Sequence, residues 1–278
     1  MKIYMRFPEG KRKALTLSYD DGVESDIRLI EIMKQNGLLG TFNINSVVFA
    51  AEGTVYPMGT ISRKMSRSQT LSAYKESGME VAVHSFTHPY LEQLPTSLCN
   101  YEIMRDRLEL EEMFGGIIRG MAYPYGTYSD SVIEVLKMCG IAYARTTVTT
   151  EKFDLPRDVY RLDPTCHHNN PRLGELTDKF LASEFKKTPG LFYLWGHSYE
   201  FDRDNNWNVI EEFARRVGGH ADIWYATNID IIDYQESYKR LIFSADGKCV
   251  INPTATVLWF EVDGVTYKAA PGKTIKIK

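Results

Sequence analysis

Two groups of ionisable residues in the first third of the sequence have the composition of a metal site. Asp20 and Asp21 stand side by side before a glycine, and His84 and His88 lie four residues apart. One carboxylate and two imidazoles are three protein ligands, the number that a catalytic zinc-type site uses while it keeps a position open for water. The second carboxylate is then free to accept a proton from that water.

A third histidine, His197, lies much further along the chain and is suited to return a proton to a leaving group. Each of these motifs also has an ordinary explanation when it is taken alone. Asp-Asp-Gly is a common turn, the pair of histidines can be a surface residue and a helix cap, and His197 can be a core residue bonded to a carbonyl. The case for chemistry therefore depends on whether the fold brings these residues together.

Short apolar runs alternate with amphipathic stretches through the first two-thirds of the chain. The predicted strands cover residues 14–18, 41–45, 80–84, 117–122, 141–145, 191–196 and 222–226. The predicted helices cover residues 25–35, 70–76, 98–114, 131–138, 176–187 and 209–217. This alternation is typical of a parallel sheet covered by helices, so the fold class is α/β. Seven strands favour a distorted (β/α) barrel, and a doubly wound open sheet is the alternative.

Four of the predicted strands run directly into polar motifs. The strand at 14–18 leads to the pair of aspartates, the strand at 80–84 to the pair of histidines, and the strand at 191–196 to His197. The strand at 117–122 leads to a Tyr-Pro-Tyr-Gly turn. Because the carboxyl ends of the strands share one face of a β/α barrel, where active sites are built, we expect these motifs to converge.

The sequence pattern changes after residue 238. Asp263 and Gly264 separate two alternating runs, which is a strong signal for a β-hairpin, and residues 273–278 also alternate. We therefore divide the chain into a catalytic unit, residues 1–236, and a small antiparallel β appendage, residues 237–278. The pattern favours a structural role for the appendage over a sugar-binding patch.

The composition excludes several classes of protein. The chain has 278 residues, a net charge of −3, 44% hydrophobic and 25% charged residues, so it is a folded protein without the basic field that binds nucleic acid or an anionic membrane. Its four cysteines lie far apart, as expected for reduced thiols. The first residues lack the apolar run of a signal peptide, and no stretch is suited to cross a bilayer. These features predict a cytoplasmic protein.

The motifs resemble those of carbohydrate esterase family 4, the polysaccharide deacetylases with a NodB-homology domain. Residues 16–22, TLSYDDG, look like the family's first motif, T-F-D-D-G, and residues 84–88, HSFTH, match the second, H-[ST]-x-x-H. Residues 123–126, YPYG, look like the end of the third motif, R-x-P-Y-G, and residues 194–197 resemble the fifth, a hydrophobic strand that ends in histidine. The resemblance covers roughly residues 14–200.

The resemblance implies a divalent cation held by Asp21, His84 and His88, with Asp20 as general base for the water at the cation. It also implies that the backbone N–H of Tyr125 stabilises the oxyanion and that His197 is the general acid. Zinc is the first expectation for these ligands, and cobalt, nickel and manganese are alternatives.

The sequence departs from the family pattern at two positions. The arginine that precedes the third-motif proline by two residues is replaced by Ala122, and Arg119, Arg145 or Arg161 could substitute for it. The fourth motif, an aspartate that orients the acid histidine, has Asp163 as its best candidate.

Four further residues near these motifs are candidates for contact with the substrate. Trp195, Tyr199 and Tyr90 flank the histidines of the motifs and offer aromatic faces to a sugar ring or an acetyl methyl group, and His168 could line the site.

The sequence therefore predicts a metal-dependent hydrolase that removes N- or O-acetyl groups from a carbohydrate. A related alternative keeps the site but acts on a small cyclic amide or imide, as amidohydrolases that resemble this superfamily do. A non-catalytic carbohydrate-binding protein is a third hypothesis, which the presence of both Asp20 and Asp21 argues against.

Overall fold

A parallel sheet of eight strands lies at the centre of the fold, which the computed structural model describes over residues 2–277. The strands are β1 (Ile3–Arg6), β2 (Lys13–Asp20), β3 (Gly40–Ile44), β4 (Glu80–Val83), β5 (Gly120–Ala122), β6 (Tyr143–Arg145), β7 (Cys166–His167), β8 (Gly190–Gly196), β9 (Ile223–Tyr225), β10 (Ile242–Phe243), β11 (Cys249–Ile251), β12 (Leu258–Val262), β13 (Val265–Ala269) and β14 (Thr274–Lys276). The α-helices are α1 (Ser25–Gln35), α2 (Arg67–Tyr74), α3 (Thr96–Phe114), α4 (Asp130–Met138), α5 (Leu173–Ala182), α6 (Tyr199–Arg203), α7 (Asn208–Val217) and α8 (Asn228–Lys239).

The strands of the central sheet follow the order β6-β5-β4-β3-β2-β8-β7, and β9 also pairs with β2. Strand β2 is buried at every residue because it has neighbours on both sides and helices cover the sheet, which explains its apolar sequence. It pairs with β8 over Lys13–Tyr19, with β9 over Lys13–Leu15 and with β3 over Leu17–Asp20. This strand therefore brings the pair of aspartates to the middle of the sheet.

Strands β6 and β7, at the two ends of this order, are linked by one segment of chain. An isolated parallel bridge joins Arg145, at the end of β6, to Leu162. A few residues later the same segment becomes β7, where Cys166 pairs with Leu194 of β8. The sheet therefore curls towards closure, and the predicted distorted (β/α) barrel is confirmed. All seven predicted strands are present, and β7 is an eighth that the sequence analysis did not predict.

Two small antiparallel sheets contain the C-terminal strands. One has the order β1-β12-β13 and the other β10-β11-β14. The predicted hairpin is confirmed: β12 and β13 are joined by Asp263 and Gly264, whose φ angles of 46° and 91° require residues that tolerate a left-handed backbone. The N-terminal strand β1 pairs with β12, so the appendage includes a strand from the other end of the chain.

The boundary that we predicted at residue 236 lies inside helix α8, which ends at Lys239. The apolar residues of the C-terminal sheets, such as Leu258 and Phe260, share a buried cluster with Tyr143 and Tyr193 of the central sheet. The division of the chain into two units remains a prediction. Over residues 2–277 there is no helix that is both long and apolar enough to cross a bilayer, and all four cysteines are free thiols.

Candidate active site

The predicted motifs meet at the carboxyl edge of the central sheet. Asp20 is the last residue of β2, and Asp21 follows it. His84 follows β4, and His197 follows β8 directly. A potential ligand atom from each of Asp21, His84 and His88 lies within 4.8 Å of the other two. The structure therefore brings together the three residues that the sequence analysis assigned to a cation.

The tautomer of His84 leaves a lone pair available at this cluster. Its Nδ1 lies 2.8 Å from the backbone oxygen of Ala122 and donates a hydrogen bond to it, so the neutral ring carries its lone pair on Nε2. That Nε2 lies 3.2 Å from Nε2 of His88. Two nitrogen ligands of one tetrahedral cation are separated by roughly 3.3 Å, so the two rings are spaced as ligands would be.

The charge states of the three side chains also fit a divalent cation. Burial lowers the pKa of His84 to about 4 and lowers the pKa of His88, so both imidazoles are neutral near pH 7. Burial acts to raise the pKa of Asp21, but the ammonium group of Lys64 and the nearby imidazoles outweigh it and keep the pKa below its usual value. Cation binding requires neutral imidazoles and an ionised carboxylate, and this cluster supplies both.

Asp20 lies beside this cluster and is held by other partners. Its side chain is buried, and it forms an ion pair with the guanidinium of Arg145. The side-chain amide of Asn43 donates a second hydrogen bond to its Oδ1 at 2.8 Å. Burial acts to raise the pKa of Asp20, but Arg145 and the nearby imidazoles outweigh it and lower the pKa to about 2. Asp20 is therefore an ionised carboxylate that accepts its hydrogen bonds from Arg145 and Asn43.

Arg145 is the one of the three candidate arginines that reaches Asp20. Residue 122, where the family pattern places an arginine, is the register partner of Arg145 on the neighbouring strand. The other two candidates are engaged elsewhere, because Arg119 pairs with Asp233 and Arg161 pairs with Asp130 and Asp158. Arg145 therefore supplies a guanidinium to Asp20 from the strand next to the one that carries Ala122.

His197 lies between two carboxylates. Its Nε2 is 3.9 Å from Oδ2 of Asp20, and its Nδ1 is 3.6 Å from Oε1 of Glu200. Burial acts to lower the pKa of His197, but Glu200 and Asp20 outweigh it, so the pKa is raised above its usual value. The imidazolium form that a general acid requires is therefore favoured at this position.

Two further candidates have other partners in the structure. The exposed carboxylate of Asp163 accepts a hydrogen bond from the hydroxyl of Thr146, and its role in orienting His197 remains a prediction without a contact to support it among residues 2–277. The side chain of His168 is buried between the rings of Tyr19 and Phe201, and its contact with substrate remains a prediction. The sequence analysis looked for the carboxylate that orients His197 in the loop of Asp163. It therefore did not consider helix α6, which follows His197.

The aromatic candidates differ in their exposure. Trp195 is buried, and the guanidinium of Arg145 lies 4.5 Å from its ring centroid, while its contact with substrate remains a prediction. Tyr90 is exposed and stacks on Tyr125 with ring centroids 4.0 Å apart. Tyr199 lies half-buried, with its ring 5.3 Å from that of His197. The roles of the two tyrosines Tyr90 and Tyr199 in substrate binding remain predictions.

Several residues of the site have a left-handed backbone, which is unusual for residues with a side chain. The φ angles are 87° at Asp21, 63° at Ser85, 60° at His88 and 58° at Tyr125. These are four of the nine such residues in the part of the chain that the structure describes. Such conformations cost roughly 1–3 kcal/mol each and persist where the surrounding structure holds them, which is common at functional sites.

The loop that carries the two histidines is held by acidic residues of α3. Asp106 accepts a hydrogen bond from the backbone N–H of His84 at 3.0 Å. Glu102 accepts hydrogen bonds from the backbone N–H and the hydroxyl of Thr87, at 2.7 and 2.9 Å. The sequence analysis missed both acids, although their spacing of four residues places them on one face of a predicted helix.

A lysine that the sequence analysis also missed approaches the cluster from the long loop between β3 and α2. The Nζ atom of Lys64 lies 3.4 Å from Oδ1 of Asp21 and donates a hydrogen bond to the backbone oxygen of the same residue. No motif marks this lysine, because its position depends on the path of a loop.

A barrel with an Asp-His-His cluster and an adjacent acid-base pair is the arrangement expected of a metal-dependent hydrolase. A sequence model of the polysaccharide deacetylase family matches residues 8–144. The chitooligosaccharide deacetylase of Azorhizobium caulinodans is 26% identical over 149 residues, which are 52% of this chain and 64% of that protein. The chain therefore matches less than two-thirds of the length of this relative.

Two solved structures share the fold. The family 4 carbohydrate esterase from Streptomyces lividans, solved with acetate, has a TM-score of 0.50 and 20% identity, and the match covers 78% of this chain and 93% of that one. A carbohydrate esterase domain of a multidomain xylanase, from the hindgut metagenome of Trinervitermes trinervoides, has a TM-score of 0.52 and 14% identity over 81% of this chain and 92% of that one. The family model, the curated relative and the shared fold support the predicted resemblance of this chain to the polysaccharide deacetylases of carbohydrate esterase family 4.

Proposed function

We propose that this protein is a metal-dependent hydrolase that removes acetyl groups from the nitrogen or oxygen atoms of a carbohydrate. The observation that supports this most directly is the position of Asp20. It is ionised, buried and bound to Arg145, and it lies beside the Asp-His-His cluster on one side and His197 on the other. A base and an acid next to a set of cation ligands are the groups that hydrolysis of an amide or ester requires.

Asp21, His84 and His88 would hold the cation, with zinc as our first choice and cobalt, nickel or manganese as alternatives. When it is bound, a divalent cation supplies Lewis acidity, which makes water a stronger nucleophile and stabilises negative charge on the acetyl oxygen. The nearby ammonium group of Lys64 adds further positive charge to this part of the site.

The residues of the chain supply the proton transfers. Asp20 accepts a proton from the attacking water, and its bonds to Arg145 and Asn43 keep its carboxylate fixed in orientation. The backbone N–H of Tyr125 donates a hydrogen bond to the developing oxyanion. His197 then donates its proton to the departing amine or alcohol, so that acetate and a deacetylated sugar are released.

The substrate class follows from the family and from one curated relative. That relative is a chitooligosaccharide deacetylase, so N-acetylated glucosamine oligomers are the first substrates to examine. The exposed stacked pair of Tyr90 and Tyr125 offers an aromatic surface beside His88 on which a sugar ring could pack.

The test measures release of acetate from acetylated chitin, xylan and peptidoglycan oligosaccharides, with a cyclic imide as a further substrate. We expect acetate from at least one oligosaccharide, its loss after treatment with a chelator, and its recovery when zinc is added. Hydrolysis of the imide alone would support the amidohydrolase alternative instead. Binding of an oligosaccharide without turnover, in protein that carries its cation, would support the non-catalytic alternative.

A further inference from the structure

Glu200 lies at the centre of three imidazoles behind His197. Its Oε2 is 3.1 Å from Nε2 of His167 and 3.1 Å from Nε2 of His168, and its Oε1 is 3.6 Å from Nδ1 of His197. Only 12% of the Glu200 side chain is exposed. Burial acts to raise the pKa of Glu200, but the three neighbouring imidazoles outweigh it and hold that pKa below its usual range, so the carboxylate stays ionised.

The position of Glu200 follows from the local structure after β8. Strand β8 ends at Gly196, and helix α6 begins at Tyr199, so Glu200 lies one helical turn beyond His197. A side chain at residue 196 would not fit, since a Cβ atom there would lie 2.0 Å from Nδ1 of His168. The fully buried ring of His168 therefore packs against the backbone before His197 and approaches Oε2 of Glu200 from the other side.

We propose that Glu200 is the positioning residue for His197, in the place of the aspartate that other members of the family use. The negative charge of its Oε1, 3.6 Å from Nδ1 of His197, favours a proton on that nitrogen and leaves Nε2 facing Asp20. His167 and His168 lie 3.1 Å from the other oxygen and restrict the orientation of the carboxylate. This inference rests on the proposed function, because His197 acts as the general acid only if the protein is a hydrolase.

The charged groups around this pair come from several elements. Asp20 faces His197 from β2, His167 approaches from β7, and Arg203 lies 3.5 Å from Oε1 of Glu200 on the same helix. Arg203 is half exposed and reaches the carboxylate from the solvent side. Removal of the charge of Glu200 would therefore leave His197 with Asp20 as its remaining carboxylate contact among residues 2–277.

The first measurement needs no turnover. The chain has only six histidines, so NMR titration of protein with isotope-labelled histidine, loaded with zinc, can follow His197 once a His197→Gln variant has assigned its signals. We expect Glu200→Gln to lower the pKa of His197 by about one pH unit or more. Asp163→Asn is the matched control, because Asp163 bonds to Thr146, and it should leave that pKa unchanged.

The second measurement uses the reaction. Glu200→Gln should lower kcat for an N-acetylated oligosaccharide about tenfold or more, and it should affect an aryl acetate much less, because a good leaving group needs no acid. Glu200→Asp keeps the charge at a shorter reach and should give a pKa for His197 between those of the wild type and Glu200→Gln. This variant also provides a test if the glutamine variant does not fold.

Three results would overturn the assignment. An unchanged pKa of His197 in a folded Glu200→Gln protein would show that Glu200 does not act on it, and an equal effect of Asp163→Asn would return the role to that residue. His167, His197 and Glu200 are also close enough to hold a cation. Loss of one bound zinc in Glu200→Gln would therefore make Glu200 a ligand instead. If the wild type hydrolyses no substrate, the proposed function fails, while the titration still decides whether Glu200 positions His197.

Discussion

Asp20 and His84 are close neighbours at the site, but their environments predict different consequences of substitution. Asp20 is bound by Arg145 and Asn43, whereas Nε2 of His84 faces Nε2 of His88 in the proposed cation site. Asp20→Asn should therefore keep the cation and lose about 100-fold or more in kcat, while His84→Ala should lose the cation itself. Initial rates and metal analysis of both purified variants measure this difference. Near-normal turnover in the Asp20→Asn protein would show that Asp20 is not the base.

Arg145 gives a second prediction at the scale of single residues. Because its guanidinium fixes the buried carboxylate of Asp20, Arg145→Gln should lower kcat about tenfold and reduce the free energy of unfolding by about 3 kcal/mol. Arg119→Gln is the control, since Arg119 pairs with Asp233 at the surface and should change neither quantity appreciably. Equal losses of activity in the two variants would show that Arg145 has no special relation to the base.

At the scale of elements, Glu80 joins parts of the fold that are distant in the sequence. Its partly buried carboxylate accepts hydrogen bonds from Thr41 of β3, from the hydroxyl of Tyr143 of β6, and from the backbone N–H of Ile229 in α8. Burial outweighs these bonds and, with a small contribution from the nearby Asp230, raises the pKa of Glu80 to about 7.

The raised pKa of Glu80 predicts how stability depends on pH. The unfolded chain ionises Glu80 near its ordinary pKa of roughly 4.5, while the folded protein retains the proton to about pH 7. The contribution of protonated Glu80 to the free energy of unfolding is therefore fully present below pH 4.5. This contribution is lost as the pH rises to 7, and the loss is on the order of 3 kcal/mol. In urea unfolding, the free energy of unfolding of Glu80→Gln relative to the wild type should increase as the pH rises across this interval. The exposed control Glu31→Gln should show a constant difference, and parallel curves for both variants would contradict the prediction.

The elements also show what the sequence could and could not predict. Helix α1 and the β12–β13 hairpin follow local signals, namely apolar spacing with a terminal glycine and an Asp-Gly turn, and both were predicted correctly. Strand β7 was missed because its two residues are too few for a period to be visible. Pairing of β1 with β12 joins the two ends of the chain, and no local pattern records such a contact.

Some residues of the candidate site could likewise be predicted from the sequence, and others could not. Asp20, Asp21, His84 and His88 stand in short motifs, and His197 ends a clear strand, so their convergence could be predicted from strand order. Arg145 could be named only as one of three arginines, because the choice depends on which strands are neighbours. Glu200 was missed because only packing shows which carboxylate reaches His197.

At the scale of the whole molecule, a buried ion pair connects the two ends of the chain. Arg6 of β1 is fully buried and lies 3.0 Å from Glu261 of β12, which also binds Arg12 at 2.8 Å. Arg6 donates further hydrogen bonds to the backbone oxygens of Lys186 and Lys187, which precede β8. Strand β1 therefore links the C-terminal strand β12 to the segment that leads into β8 of the central sheet.

This connection predicts the effect of Glu261→Gln. The variant leaves a buried guanidinium without its carboxylate, so the free energy of unfolding should fall by about 3 kcal/mol. Denaturant unfolding measures the change. Glu236→Gln, which breaks an exposed pair with Lys239, should cost less than about 0.5 kcal/mol. Similar small losses in both variants would mean that Arg6 is sufficiently stabilised by its backbone partners.

The register of β5 and β6 has a consequence for how such sites change over evolutionary time. In a parallel sheet, partners on adjacent strands project to the same side, so Ala122 and Arg145 are two attachment points for a single positive charge. For the proposed base Asp20, the location of that charge in space matters and the strand that delivers it does not. Relatives with arginine at either of the two positions should therefore place a guanidinium against the same carboxylate.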